Sequence, residues 1–227
     1  MKEESNLIKA LEQLRFANVI DIPFSEKDYH LMDFSAANPE LHKVDLNNIR
    51  EFNGYVFDQL DSVGAQVGYG GYNEDRVIYK RSSHFQGEEP RSVHLGIDLW
   101  AKAYTNIFAP LDSCVHSHTD NKGLGNYGPT IILEHKISDL KFYTLYGHLS
   151  RQSLSELKPG REIKKGGKIG QIGDFPENGD WPPHLHFQII TDMMGLEGDF
   201  PGVAKPSERD KFLSICPDPN LILRFGT

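Results

Sequence analysis

Near the start of the chain, apolar positions recur at helical spacing in two places. Leu7, Ile8, Leu11 and Leu14 share one face of residues 5–16, and Ile49, Phe52, Val56 and Leu60 share one face of residues 45–60. Asp45 is placed to N-cap the second helix. Between the two, VIDIPFSEKDYHLMDFS reads as one or two short strands broken by Pro23. A glycine-rich stretch, GAQVGYGGYNED at 64–75, then marks a change of period. RVIYKR, SVHLGIDLW, TIILEH, KFYTLYGHL, KIGQIG and HLHFQII are short apolar runs with turn residues between them, which predicts strands. TIILEHKISDLKFYTLYGHL has the form of a hairpin. The expected fold is mainly β, an antiparallel sheet or sandwich over residues 76–227, preceded by a small mixed α+β subdomain over residues 1–75.

Composition narrows the class. The 227 residues are 38% hydrophobic and 25% charged, enough to bury a core without disulfides or metal staples. A net charge of -8 opposes nucleic acid as a partner, because phosphate contacts need clustered Lys and Arg. No run of 18 apolar residues is present to span a membrane. MKEESNLIKALEQLRF carries acids where a secretory signal needs a basic end and an apolar core. A cytoplasmic location, or a segment cut from a larger chain, is therefore expected. Cys114 and Cys216 match no disulfide framework and read as structural thiols of a reducing compartment.

The candidate chemistry lies in the histidines. In SVHLGIDLW, alternation puts Val93, Leu95, Ile97 and Leu99 on one face and His94, Gly96 and Asp98 on the other. Four residues of ideal strand span about 13 Å, so His94 and Asp98 can share an ion only if the strand bends. Gly96 supplies the bend and the empty space. In PPHLHFQII, Leu185, Phe187 and Ile189 point inward while His184, His186 and Gln188 point away. The same parity puts Thr144, Tyr146 and His148 on one side of KFYTLYGHL. A catalytic zinc site takes three N or O ligands and leaves one position open. His94, Asp98 and one of His184 and His186 supply that number. The remaining histidine and His148 would stand beside the metal as proton carriers or oxyanion donors. A rival cluster, His116, His118 and Asp120 in CVHSHTDNK, sits in a polar stretch without alternation and is the weaker candidate. His30, His42, His84 and His135 read as structural or surface residues.

His94-x-x-x-Asp98, then Tyr146-Gly-His148-Leu149, then His184-Leu-His186-Phe187, in that order, resemble the zinc metallopeptidases of the M23 type, the lysostaphin and LytM-like endopeptidases. The resemblance runs from about residue 91 to 191 and includes LKPGREIKKGGKIGQIGD; CPDPNLIL near the end is similar more weakly. It implies one zinc per chain held by His94, Asp98 and His186, with His148 and His184 as the catalytic pair. It also implies a barrel-sandwich hybrid β core with the metal in a groove across the sheet, and a peptide bond in or near peptidoglycan as substrate. Tyr146 would donate to the oxyanion or line the groove, with Tyr69 and Tyr72 as weaker candidates for its walls. Trp181 to Phe187 looks like a version of this domain found inside longer chains, for which a cytosolic peptide or amide is the expected substrate. Two alternatives stand beside the hydrolase: a non-catalytic relative that binds wall fragments or regulates another enzyme, and a non-haem Fe(II) oxygenase, since two His and a carboxylate also suit iron. The N-terminal subdomain could lie over the groove.

Overall fold

The computed structural model describes residues 2–22 and 28–226; the strand break expected at Pro23 lies outside them. Helix α1 (Lys2–Glu12) buries Leu7 and Leu11 and ends before Leu14. After the short strand β1 (Tyr29–Leu31), helix α2 (Ile49–Val63) buries Phe52, Val56 and Leu60 as their spacing requires. Its N-cap is Asn48 and not Asp45: the Asn48 side chain accepts from the Arg50 N–H, while the Asp45 carboxylate accepts from Asn47 N–H in the turn before. Gly64, in the left-handed region at φ 69°, closes α2. Strand β2 (Val67–Gly70) follows. RVIYKR is not a strand, because Ile78–Arg81 winds into a 3-10 turn. Ile78 and Tyr79 are both buried in one aromatic cluster, and a strand would send these neighbours to opposite faces.

The remaining elements run in order as β3 (Val93–His94), β4 (Ile97–Trp100), β5 (Asn106–Phe108), β6 (Ser113–Asn121), β7 (Gly128–Ile137) and β8 (Leu140–Gly147). Then come α3 (Arg151–Glu156), β9 (Glu162–Ile163), β10 (Lys168–Gln171), β11 (His184–Ile190), β12 (Val203–Ala204), α4 (Arg209–Ile215) and α5 (Asn220–Leu223). The β7–β8 pair is the expected hairpin. Strand β6 is the polar CVHSHTDNK stretch, ordered by its ladder to β7 although only Val115 and Ser117 are buried along it.

Eight strands make one open mixed sheet in the order β1-β2-β4-β11-β8-β7-β6-β9, antiparallel except where β1 runs parallel to β2. Two small ladders, β5–β10 and β3–β12, flank it. One face of the central strands carries Leu99, Tyr146, Leu185, Phe187 and Ile189 into a core shared with α1 and α5. The opposite face is covered as well. There Trp100 packs with Phe34, Phe52 and Trp181 under α2, and Val93, Leu95, Leu145 and Phe200 form a third cluster with Phe212 of α4. Both faces of the central strands are therefore dry, and the histidines of β11 lie inside the protein.

Candidate metal centre

Strands β4 and β11 are antiparallel neighbours, with Asp98 directly opposite His186 and Trp100 opposite His184. Opposed residues have Cβ atoms about 5 Å apart, so register alone sets the Asp98 carboxylate beside the His186 ring. His94 reaches the same point because the chain turns at Leu95 and Gly96, and β3 leaves the large sheet to pair with β12. A Cβ on Gly96 would stand 2.7 Å from the Phe187 carbonyl oxygen and 2.7 Å from the His186 ring, so only glycine allows this turn.

Three atoms converge. His94 Nε2 lies 2.9 Å from His186 Nδ1 and 3.3 Å from Asp98 Oδ1, and His186 Nδ1 lies 3.1 Å from Asp98 Oδ1. The proton positions follow from the far side of each ring. His94 Nδ1 faces the Gly71 carbonyl at 3.1 Å and His186 Nε2 faces Gln188 Oε1 at 2.9 Å; both oxygens accept, so both of these nitrogens carry hydrogen. The Gln188 amide is oriented by its own N–H groups, which donate to the Pro201 carbonyl and Cys216 Sγ. Two imidazole lone pairs and a carboxylate oxygen thus meet with no proton among them, a repulsive arrangement that a cation relieves. Three ligands of a tetrahedral ion with arms of about 2.0 Å lie about 3.3 Å apart, which matches the observed separations. The group can hold a metal ion, and among the described residues no other three His, Cys, Asp or Glu side chains gather in this way.

Electrostatics agree with the geometry. The buried Arg76 guanidinium pairs with Asp98 Oδ2 and, at 2.7 Å, with Glu74 Oε2, so one carboxylate oxygen is neutralised and the other faces the imidazoles. Burial disfavours the Asp98 charge, but the Arg76 guanidinium paired with it overcomes this and holds the carboxyl well below its usual range. Burial, with Arg76 nearby, pulls His94 down to about 3, which keeps its ring a neutral ligand.

His148 and His184 stand next to this cluster, their ring centroids 4.2 Å apart. His148 Nδ1 donates to the Asn178 carbonyl at 2.7 Å and His184 Nδ1 to the Pro182 carbonyl at 2.8 Å, leaving both Nε2 lone pairs free. His184 Nε2 is 3.9 Å from Asp98 Oδ2. Trp100 stacks on the His184 ring at 4.0 Å, across the β4–β11 ladder. Burial lowers both pKa values, His184 to about 4 and His148 well below the usual histidine range, so both are neutral at pH 7.

Tyr146 is not part of the site. It opposes Phe187 across β8 and β11, is fully buried in the core on the other face, and meets Thr144 there through its hydroxyl. Parity fails because β8 ends at Gly147 and His148 takes φ 61°, which swings its side chain to the face opposite Tyr146. Tyr69 stacks on Phe225 and Tyr72 donates to the Cys216 carbonyl, so neither is a wall of the site. Tyr127 is the tyrosine that sequence reasoning missed. Its hydroxyl lies 3.4 Å from His186 Nε2 and its ring packs on His148 and His186. No local signal marked Tyr127, Arg76 or the Gly71 carbonyl, whereas Gln188 shares the parity of His186. In the rival cluster, His116 bonds Ser117 Oγ and Asp120 accepts from Arg151. Both cysteines are free thiols.

A cavity of about 240 Å³ opens beside the cluster, with Asp98, Tyr127, His148, His184 and His186 at its inner end. A mainly β chain in which His-Asp-His donors meet two further neutral imidazoles in a buried pocket has the features of a metal-dependent hydrolase site. Residues 92–197 match the model of Peptidase family M23. Among solved structures, the chain is 20% identical to a peptidase M23 from Pseudomonas aeruginosa over 60% of this chain and 47% of that one, with a TM-score of 0.37. It is 20% identical to a zinc containing peptidase from Vibrio cholerae over 52% of this chain and 31% of that one, with a TM-score of 0.36. It is 23% identical to the catalytic domain of the antimicrobial peptidase lysostaphin from Staphylococcus simulans over 53% of this chain and 80% of that one, with a TM-score of 0.37. The match spans less than half the length of the first two of these chains. No curated protein matches the chain. Among the described residues no helix is long and apolar enough to cross a membrane.

Proposed function

We propose that the chain is a zinc metallopeptidase, with residues 76–227 as the catalytic domain, hydrolysing a peptide or related amide bond. The observation that carries this reading is the meeting of His94 Nε2, His186 Nδ1 and Asp98 Oδ1 with no proton to hold them together. Bound zinc would supply a Lewis acid for the scissile carbonyl and draw the pKa of its water from 15.7 towards about 7. His148 and His184, neutral and anchored through Nδ1, present Nε2 to take a proton from the attacking water and to return one to the leaving amine. Once protonated, either ring also stabilises the tetrahedral oxyanion. The family resemblance makes peptidoglycan peptides the first substrates to screen, with cytosolic peptides and amides beside them.

Elemental analysis tests the metal: one zinc per chain is expected in the wild type and none in His186→Ala. His148→Ala and His184→Ala are expected to keep the zinc and to lower kcat by about 10²- to 10⁴-fold. Turnover retained in both overturns their roles. Iron in place of zinc points to the oxygenase, and zinc without hydrolysis of any peptide points to a binding domain.

A further inference from the structure

The cavity beside the cluster changes character along its length. Its inner end is made by imidazoles and the Asp98 carboxylate, while its sides are Ile78, Tyr79, Phe85, Trp100, Trp181 and Phe200. These side walls are almost completely buried, none more than 6% exposed. The aromatic surface starts on the His184 ring. Trp100 stacks on it at 4.0 Å, Trp181 meets it edge-on at 6.3 Å, and from Trp181 the rings continue through Tyr79 at 6.2 Å to Phe85 at 4.6 Å. Beyond the inner end, the polar and charged groups His84, Arg91, Asn126, Glu197 and Asp199 belong to the more exposed part of the lining. Much of the wall comes from residues 78–91 and 199–203, outside the segment 92–197 that carries the family match.

A substrate whose scissile carbonyl sits at the His94-Asp98-His186 cluster must place a neighbouring side chain in this space. A hydrogen atom there would leave water against aromatic carbon with few polar partners. We propose that the cavity receives a large apolar side chain, aromatic by preference, on the residue adjoining the cleaved bond. The substrate class is then a peptide or amide bearing a bulky apolar group at that position and not glycine. This inference rests on the metallopeptidase reading and deepens it.

The test compares the zinc-loaded full chain binding phenylalanine hydroxamate and glycine hydroxamate, measured by calorimetry. Both probes engage the metal through the same group, so the ratio of their affinities reads the cavity. Burial of a phenyl side chain predicts binding roughly 10- to 150-fold tighter than for glycine. Phe85→Ala should shrink that ratio several-fold and leave the glycine probe unchanged, an effect that partial misfolding would not mimic because it weakens both. Equal affinities, or a preference for glycine, with zinc bound would overturn the cavity assignment and leave the metallopeptidase intact. If the chain takes up no zinc, that reading falls, and N-acetylphenylalanine amide against N-acetylglycine amide repeats the comparison without a metal; no phenyl preference there overturns the cavity assignment too.

Discussion

Arg76 carries its charge into a position where its side chain has no exposure, held between Asp98 and Glu74. Groups that orient metal ligands are typically worth 10- to 100-fold in metal affinity. Arg76→Gln is accordingly expected to weaken zinc binding by about that factor, with Arg76→Lys recovering part of it. Competition against a chromophoric chelator measures this on the folded fraction, where a purely structural role would lower Tm and leave affinity alone. His135 plays a different part, one of packing, consistent with its expected structural place. It is buried, with Nδ1 3.1 Å from the Asp112 carbonyl and Nε2 2.7 Å from Thr144 Oγ1, and burial pulls its pKa from 6.5 down to about 4. The unfolded chain therefore takes up this proton first as pH falls. The stability involved is complete above pH 6.5 and drains away down to pH 4, on the order of 3 kcal/mol. Urea unfolding at pH 7 and pH 4 should show a smaller loss in His135→Gln than in the wild type.

Period-two alternation predicted the faces of β4 and β11 correctly, and with them the grouping of Asp98, His184 and His186. The turn at Gly96 was legible too, because four residues of straight strand cannot bring His94 to Asp98. Gly96→Ala is expected to be destabilising by about 2 kcal/mol and to abolish metal uptake, since its Cβ would press on the Phe187 carbonyl and that backbone is fixed in the ladder. Thermal unfolding together with metal analysis checks both effects. Where alternation misled, the strand had ended. His148 follows β8 at positive φ, so it departs from Tyr146, and a non-glycine residue in that region carries about 1–2 kcal/mol of strain. RVIYKR was misread because its apolar neighbours face one cluster together, and polar β6 was missed because its partner strand orders it.

The arrangement of the whole chain decides what surrounds the centre. Phe52 of α2 is fully buried, with ring centroids 6.1 Å from Phe34, 6.2 Å from Trp100 and 6.2 Å from Trp181. Through Trp100 and Trp181 it supports two walls of the cavity. Phe52→Ala is expected to be destabilising by about 3–5 kcal/mol, measured by denaturant unfolding, with His94, Asp98 and His186 themselves untouched. The face that alternation marked as polar is covered by α2 and residues 76–91, so the histidines stand at the end of a pocket lined by aromatic rings.

The choice of His186 over His184 and the place of His148 came from the family resemblance, since the parity that grouped His148 with Tyr146 fails at φ 61°; the candidate metal donors and the mainly β architecture were readable along the chain. Each rests on a local regularity, the two-residue period of a strand, the rise per residue and the chemistry of imidazole and carboxylate, that neighbouring residues specify together. Arg76 beside Asp98, Tyr127 beside His186 and the aromatic cavity were not readable. The first two contacts join positions 22 and 59 apart in sequence, the cavity sets residues 78–91 beside residues 181–203, and all of these depend on register, on the turn at His148 and on which distant segment covers the sheet. Local pattern says which way a side chain points from its own strand, and packing of the folded chain sets what it meets there.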